Sequence, residues 1–138
     1  MENIGVVHGR WGEDVAVAQL RREGLQIMAR NVRPCAYDRR LEIDIVAYDR
    51  QTDAAVFVEV KQHASHREGE GLLRSVDKRK RRLLRTACDA WRRSNRWRGA
   101  YRFDVVEVYG VPGGDPPEIL HVRRVNLFVP PSRFAPGI

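Results

Sequence analysis

Cysteine is scarce in these 138 residues: Cys35 and Cys88 stand apart, with no CxxC pair. That excludes a disulfide framework and fits a reducing compartment. No apolar run approaches the 18 or more residues of a spanning helix, and no secretory signal opens the chain. The expected location is therefore the cytoplasm, with no membrane partner. Internal repeats and interdomain linkers are missing too, which leaves one domain over residues 1–125 and an irregular tail over 126–138 carrying Pro130, Pro131 and Pro136. A chain of this length buries roughly two-thirds of its unfolded surface, core enough to fold alone.

Lysine is rare as well. Of the 25 basic residues only three are Lys, and the formal charge is +7. Such a balance points to a polyanionic partner, because the arginine fork suits bidentate phosphate contacts. Nucleic acid leads, ahead of a membrane surface.

The stretch from Leu41 to Lys61 organises the rest. Leu41, Ile43, Ile45 and Ala47 alternate with Glu42, Asp44, Val46 and Tyr48, and Val56, Val58 and Val60 alternate with Phe57, Glu59 and Lys61. Two strands joined by a turn at DRQTD follow from that period of two. With Arg50 to Asp53 as a four-residue loop, Asp49 pairs with Ala54 and Asp44 comes to lie opposite Glu59, with Lys61 two residues on along the same face. Carboxylates about 5 Å apart repel by roughly 3 kcal/mol at an effective dielectric near 20. A divalent cation offsets this best: Mg²⁺ is commonly held by one or two carboxylates, with water and phosphate oxygens completing its shell. An adjacent lysine can then orient an attacking water or, as the free amine, deprotonate it, or as the ammonium stabilise charge on the phosphate in flight. The plainer alternative is a polar strand face on which Lys61 pairs with Glu59 and Asp44 is solvated.

Elsewhere the chain offers a largely apolar helix from His8 to Glu23 closing at Gly24, with Glu13 on the stripe of Ala16, Val17 and Leu20. Glu13 there is either a partner of the acidic site or a first-turn residue favoured by the helix dipole. Leu25 to Arg33 reads as a first strand. Gln62 to Gly71 has no periodicity and reads as a loop holding His63 and His66. A zinc site would need Cys35 or Cys88 to join those histidines without a recognised spacing, so solvent-exposed or phosphate-touching histidines are the expectation.

Ser75 is a fitting N-cap for a second helix reaching Ser94. Its apolar arc comprises Val76, Leu83, Leu84, Ala87, Ala90 and Trp91, and Lys80 falls within it, either as a snorkelling stem or aimed at the acidic site. Beyond lies WRRSNRWRGAYR, where Arg92, Arg93, Arg96 and Arg98 interleave with aromatics, as nucleic-acid contacts or as a solvated basic turn. Strands over Arg102–Tyr109 and about 119–125 follow. The order of elements gives an α/β domain with a mixed sheet flanked by helices.

GRWGEDVAVAQL, EIDIVA, VFVEVK and RFDVV, in this order and at these separations, resemble the YraN-like family of uncharacterised predicted endonucleases. That family is placed in the restriction-endonuclease-like PD-(D/E)XK superfamily, alongside archaeal Holliday junction resolvases. The resemblance covers about residues 9–108 and implies an αβββαβ core. It implies Asp44 and Glu59 as ligands of Mg²⁺ or Mn²⁺, the Val60 carbonyl as a third, Lys61 as the catalytic lysine and Glu13 as the helix-borne acid. Asp104 matches the RFD aspartate, for which a structural hydrogen-bonding role is the expectation, and Lys80 a recurrent helix lysine. Leu41 departs from the usual Gly before EID, and His63 from the frequent Arg after VEVKx. The implied activity is metal-dependent hydrolysis of phosphodiester bonds, in DNA before RNA, with branched or structured substrates included; a non-catalytic nucleic-acid-binding accessory of recombination or repair is the alternative. Resolvase-like relatives often act as dimers, so a homodimer is a further expectation.

Overall fold

The computed structural model describes residues 3–65 and 78–128. His66, Ser75, Val76 and the three tail prolines lie outside them. Helix α1 spans Ile4–Arg22 and begins four residues before the apolar pattern indicates. A cap explains this: Asn3 Oδ1 accepts the Gly5 amide at 2.7 Å, the preferred chemistry at a helix start. Glu13 therefore sits mid-helix, which removes the first-turn dipole explanation for it. At the other end Gly24 takes φ +91°, and the Gly24 and Leu25 amides donate to the Arg21 and Leu20 carbonyls, closing the helix in a Schellman turn.

Five strands follow, β1 (Gln26–Val32), β2 (Ile43–Asp49), β3 (Ala54–His63), β4 (Ala100–Tyr109) and β5 (Glu118–Val122), with α2 (Lys78–Ser94) between β3 and β4. They form one sheet in sequence order. All neighbours are antiparallel except β3 and β4, which the α2 crossover makes parallel. The α/β mixed-sheet architecture and the αβββαβ order expected from sequence are both present. Strand bounds differ in places: β4 begins two residues earlier, at Ala100, Gln62 and His63 extend β3 rather than starting a loop, and β5 stops at Val122.

Helices cover opposite faces. On one, Leu84, Ala87, Cys88 and Trp91 of α2 pack with Ala55, Phe57, Phe103 and Val105. On the other, Ala16, Val17 and Leu20 of α1 pack with Val56, Val58, Val106 and Val108. Phe57 is fully buried and meets Trp91 edge-on at 5.5 Å; side chains of this kind each stabilise the fold by roughly 1.5–3 kcal/mol. Leu41 and Ile43 join the α2 cluster, whereas Ile45 and Ala47 join that of α1, so these four do not share one face. Leu127 and Phe128, which sequence assigns to the tail, also pack in the α2 cluster. Among the described residues, no helix is long and apolar enough to cross a membrane.

Candidate acidic active site

The hairpin register is the one deduced from sequence. Asp49 pairs with Ala54 and Ile45 with Val58; Asp44 and Glu59 are the next residues past the last of these pairs, close enough to interact. There the backbone ladder gives way to a side chain: the Val60 amide donates to Asp44 Oδ2 at 2.8 Å. A residue's N–H and C=O point to the same edge of a strand, which turns the Val60 carbonyl toward Asp44 as well.

Glu59 is 5% exposed. Burial, then the Asp44 charge and a hydrogen bond with Asp44, push its pKa up to about 8, against the pull of Lys80 and Lys61. Burial and the neighbouring Asp44 charge thus favour the protonated form of Glu59. Lys80 leans in from α2 with its Nζ 3.8 Å from Glu59 Oε1. This supports the site-facing alternative for Lys80 over a purely snorkelling stem. Lys61 is half-buried on β3 and within electrostatic reach of Glu59.

Glu13 approaches from α1. Its pKa is raised, first by burial and also by Asp44, while Arg30 opposes the shift. Arg30 Nε donates to Glu13 Oε1 at 3.1 Å and Asn31 Nδ2 to the same oxygen at 2.9 Å. Asp44, Glu59, Lys61, Lys80 and, at the margin, Glu13 therefore converge at one end of the sheet. Among the described residues, no three His, Cys, Asp or Glu side chains are grouped closely enough to hold a metal ion. Two carboxylates and the Val60 carbonyl are the donors that fit one, which leaves open positions for water and phosphate, as Mg²⁺ prefers.

Other residues singled out from sequence lie elsewhere. Arg92, Arg93, Arg96 and Arg98 line a groove at the far end of α2. Asp104 is fully buried. It accepts from Arg102 Nε at 3.0 Å and the Arg124 amide at 3.0 Å, and lies 2.8 Å from His121 Nε2. His63 is neither looped nor simply solvent-facing: it stacks on Tyr109 at 4.9 Å, with Nε2 3.3 Å from Glu107. Cys88 is buried in the core, and Cys35 is half-buried.

A family model described as uncharacterised protein family UPF0102 matches residues 12–108. UPF0102 proteins of Mycobacterium tuberculosis and Mycobacterium bovis are 39% identical over 122 residues, covering 86% of this chain and 91% of theirs. One from Mycobacterium avium is 40% identical over 120 residues, covering 86% of this chain and 88% of its own. The chain belongs to the uncharacterised protein family UPF0102. This agrees with the YraN-like resemblance at the level of the family.

The UPF0102 match contains every acidic-site residue named above, and it contains two that sequence reasoning missed. Asn31 falls between the pairs Arg30–Ile45 and Val32–Ile43, hence level with Asp44. Its φ of 50° is uncommon for a residue other than glycine. Asn within a strand was the available signal. Glu107 pairs in register with Lys61, is 2% exposed and accepts from Tyr109 Oη at 2.7 Å. An acid flanked by Val105, Val106 and Val108 in RFDVVEVY was its signal, since a buried carboxylate needs partners. Beside Glu13, a groove of about 870 Å³ is lined by Arg10, Arg30, Asn31, Arg33 and Glu42.

Proposed function

We propose that this UPF0102 chain is a Mg²⁺- or Mn²⁺-dependent nuclease that hydrolyses phosphodiester bonds of nucleic acid, DNA before RNA, and belongs with the PD-(D/E)XK enzymes. The observation that carries this reading is the meeting of Asp44 and Glu59 on adjacent strands with two amines beside them. In this reading Asp44, Glu59 and the Val60 carbonyl hold the ion. The ion supplies polarisation of the phosphoryl group and charge to offset the paired carboxylates. Lys61, as an ammonium, orients the attacking water and steadies the charge gathering on the phosphate, while the water's proton leaves to solvent. Lys80, 3.8 Å from Glu59, would offer its charge to the phosphate as negative charge develops there. Glu13, steadied by Arg30 and Asn31, hydrogen-bonds water at the rim of the site. The basic composition supplies attraction for the polymer.

A non-catalytic nucleic-acid-binding role in recombination or repair is the second reading. It is favoured by the raised pKa of Glu59, since a protonated Glu59 can lie beside Asp44 without an ion. The two separate in one assay: purified protein with Mn²⁺ against duplex, single-stranded, flap and four-way-junction DNA, beside Asp44→Asn and Lys61→Ala. Cleavage by wild type and loss in both variants is the expected result. Equal cleavage by all three identifies a contaminant and rejects the enzyme.

A further inference from the structure

Both helices end in the same hydrogen-bonded turn, built on different residues. At the end of α1 the left-handed position is held by Gly24. At the end of α2 the Trp97 amide donates to the Arg92 carbonyl at 2.8 Å and the Arg96 amide to Arg93 at 3.2 Å, which puts Arg96 in that position, at φ 51°. A Cβ makes this conformation costly, and glycine is the residue ordinarily found there. The fold would be better served by glycine at position 96, so the arginine side chain must be accounted for by something else.

That side chain lines a groove of about 530 Å³ together with Arg92, Arg93, Arg98, Asp89 and Trp97. Four cations thus face one acid. Arg92 is engaged, with its guanidinium 3.7 Å from the centre of the Tyr101 ring and 3.5 Å from Asp89. Arg93, Arg96 and Arg98 are exposed. The helix macrodipole favours cations in the last turn, which covers Arg92 and Arg93. It gives no reason for a strained Arg96 or for Arg98 beyond it.

We propose that this groove is a phosphate anchor for the nucleic-acid backbone, remote from the acidic site. The proposal deepens the nucleic-acid reading above, and it adds a spacing. From Lys80, which touches Glu59, to Ser94 at the end of α2, fourteen helical steps of about 1.5 Å make about 21 Å. At about 3.4 Å per phosphate along one strand, a substrate must extend about six nucleotides past the cleaved bond on one side to reach the anchor.

Arg96→Gly tests both parts, because it relieves strain and deletes the side chain together. Melting should rise by about 2–5 °C, a shift that a merely destabilised protein cannot show. Affinity for a fluorescein-labelled duplex DNA in EDTA, read by anisotropy at low salt, should fall several-fold. The slope of log affinity against log salt should shrink by about 0.9, one phosphate contact. Unchanged affinity and slope overturn the anchor; a lower melting temperature overturns the strain argument. With Mn²⁺, wild type should cut duplexes trimmed to about six base pairs beyond the scissile bond and lose activity on shorter ones, and length-independent cutting overturns the spacing. Should no duplex be cut at any length, the nuclease reading fails, while the binding difference still decides the anchor.

Discussion

Lys80 on α2 brings its ammonium within 3.8 Å of Glu59 on β3, tying the crossover helix to the acidic end of the sheet. The lysine side chain is 43% exposed against 7% for Glu59, so the pair contributes little to folding. Lys80→Gln should change stability by less than about 1 kcal/mol. Loss of a cation aimed at transition-state charge should nevertheless lower cleavage by about 10²-fold. Urea denaturation beside single-turnover kinetics checks this, and a variant as active as wild type removes Lys80 from the site.

The raised pKa of Glu59 beside Asp44 gives the protein a pH dependence of definite sign. Glu59 binds its proton more tightly folded, with a pKa raised to about 8, than unfolded, near 4.5. Folding therefore takes up a proton between these values, and this group's contribution falls as pH rises through that window. A divalent ion displaces the proton, so its stabilisation should grow over the same window. Melting in EDTA and in Mn²⁺ across it should show opposite trends in wild type and neither in Glu59→Gln. Identical pH profiles for the two proteins would refute the shared site.

Gly12 makes the close approach of α1 to β3 workable. A Cβ there would meet Gln62 Cβ at 2.8 Å, and Gln62 adjoins Lys61. Its amide also donates to the Gly110 carbonyl at 2.6 Å, so the glutamine has little room to give. Gly12→Ala should destabilise by about 1–3 kcal/mol through overpacking and lower activity by displacing Lys61. Calorimetry with cleavage rates measured below the melting point separates the two effects. An alanine variant as stable and as active as wild type would show that α1 can shift freely.

Much of this arrangement was legible in the chain because strand period and turn length fix register. DRQTD between two alternating runs was enough to set Asp44 against Glu59 before any coordinates. What escaped depended on long-range pairing. Nothing local indicates that Glu107 would lie beside Lys61, because that follows from a parallel pairing across the α2 crossover. Asn31 reaches Glu13 from a left-handed backbone position that strand patterning does not reveal. The apolar period placed the start of α1 at His8, since the capping Asn3 precedes the residues that the core selects. His63 was assigned to a loop because β3 outruns its own hairpin and continues alongside β4.

Asp104 anchors a chain of charges that holds β4, β5 and α1 together away from the acidic site. Arg102 reaches both Asp104 and, at 2.7 Å, Asp49. His121, with its side chain 7% exposed, lies 2.8 Å from Asp104 and 2.8 Å from Glu23 at the end of α1. Burial works against the His121 charge, but hydrogen bonds to the two acids outweigh it and raise the pKa above 6.5. Burial likewise opposes ionisation of Asp104, and its bonds to His121, Arg102 and the Arg124 amide hold its pKa below 3.8. The histidine's contribution is complete below 6.5 and is lost as pH rises through its folded pKa; the aspartate's is complete above 3.8 and is lost as pH falls through its own. Stability from this network should therefore peak between the two folded values. His121→Gln should flatten the alkaline limb of the profile and leave the acid limb. Asp104→Ala leaves Arg102 with Asp49 alone and His121 with Glu23 alone, and should cost about 1–3 kcal/mol, a large share of a small domain's stability. Denaturation midpoints across pH for wild type and both variants measure each limb separately, and an alkaline limb that survives His121→Gln would assign it to another group.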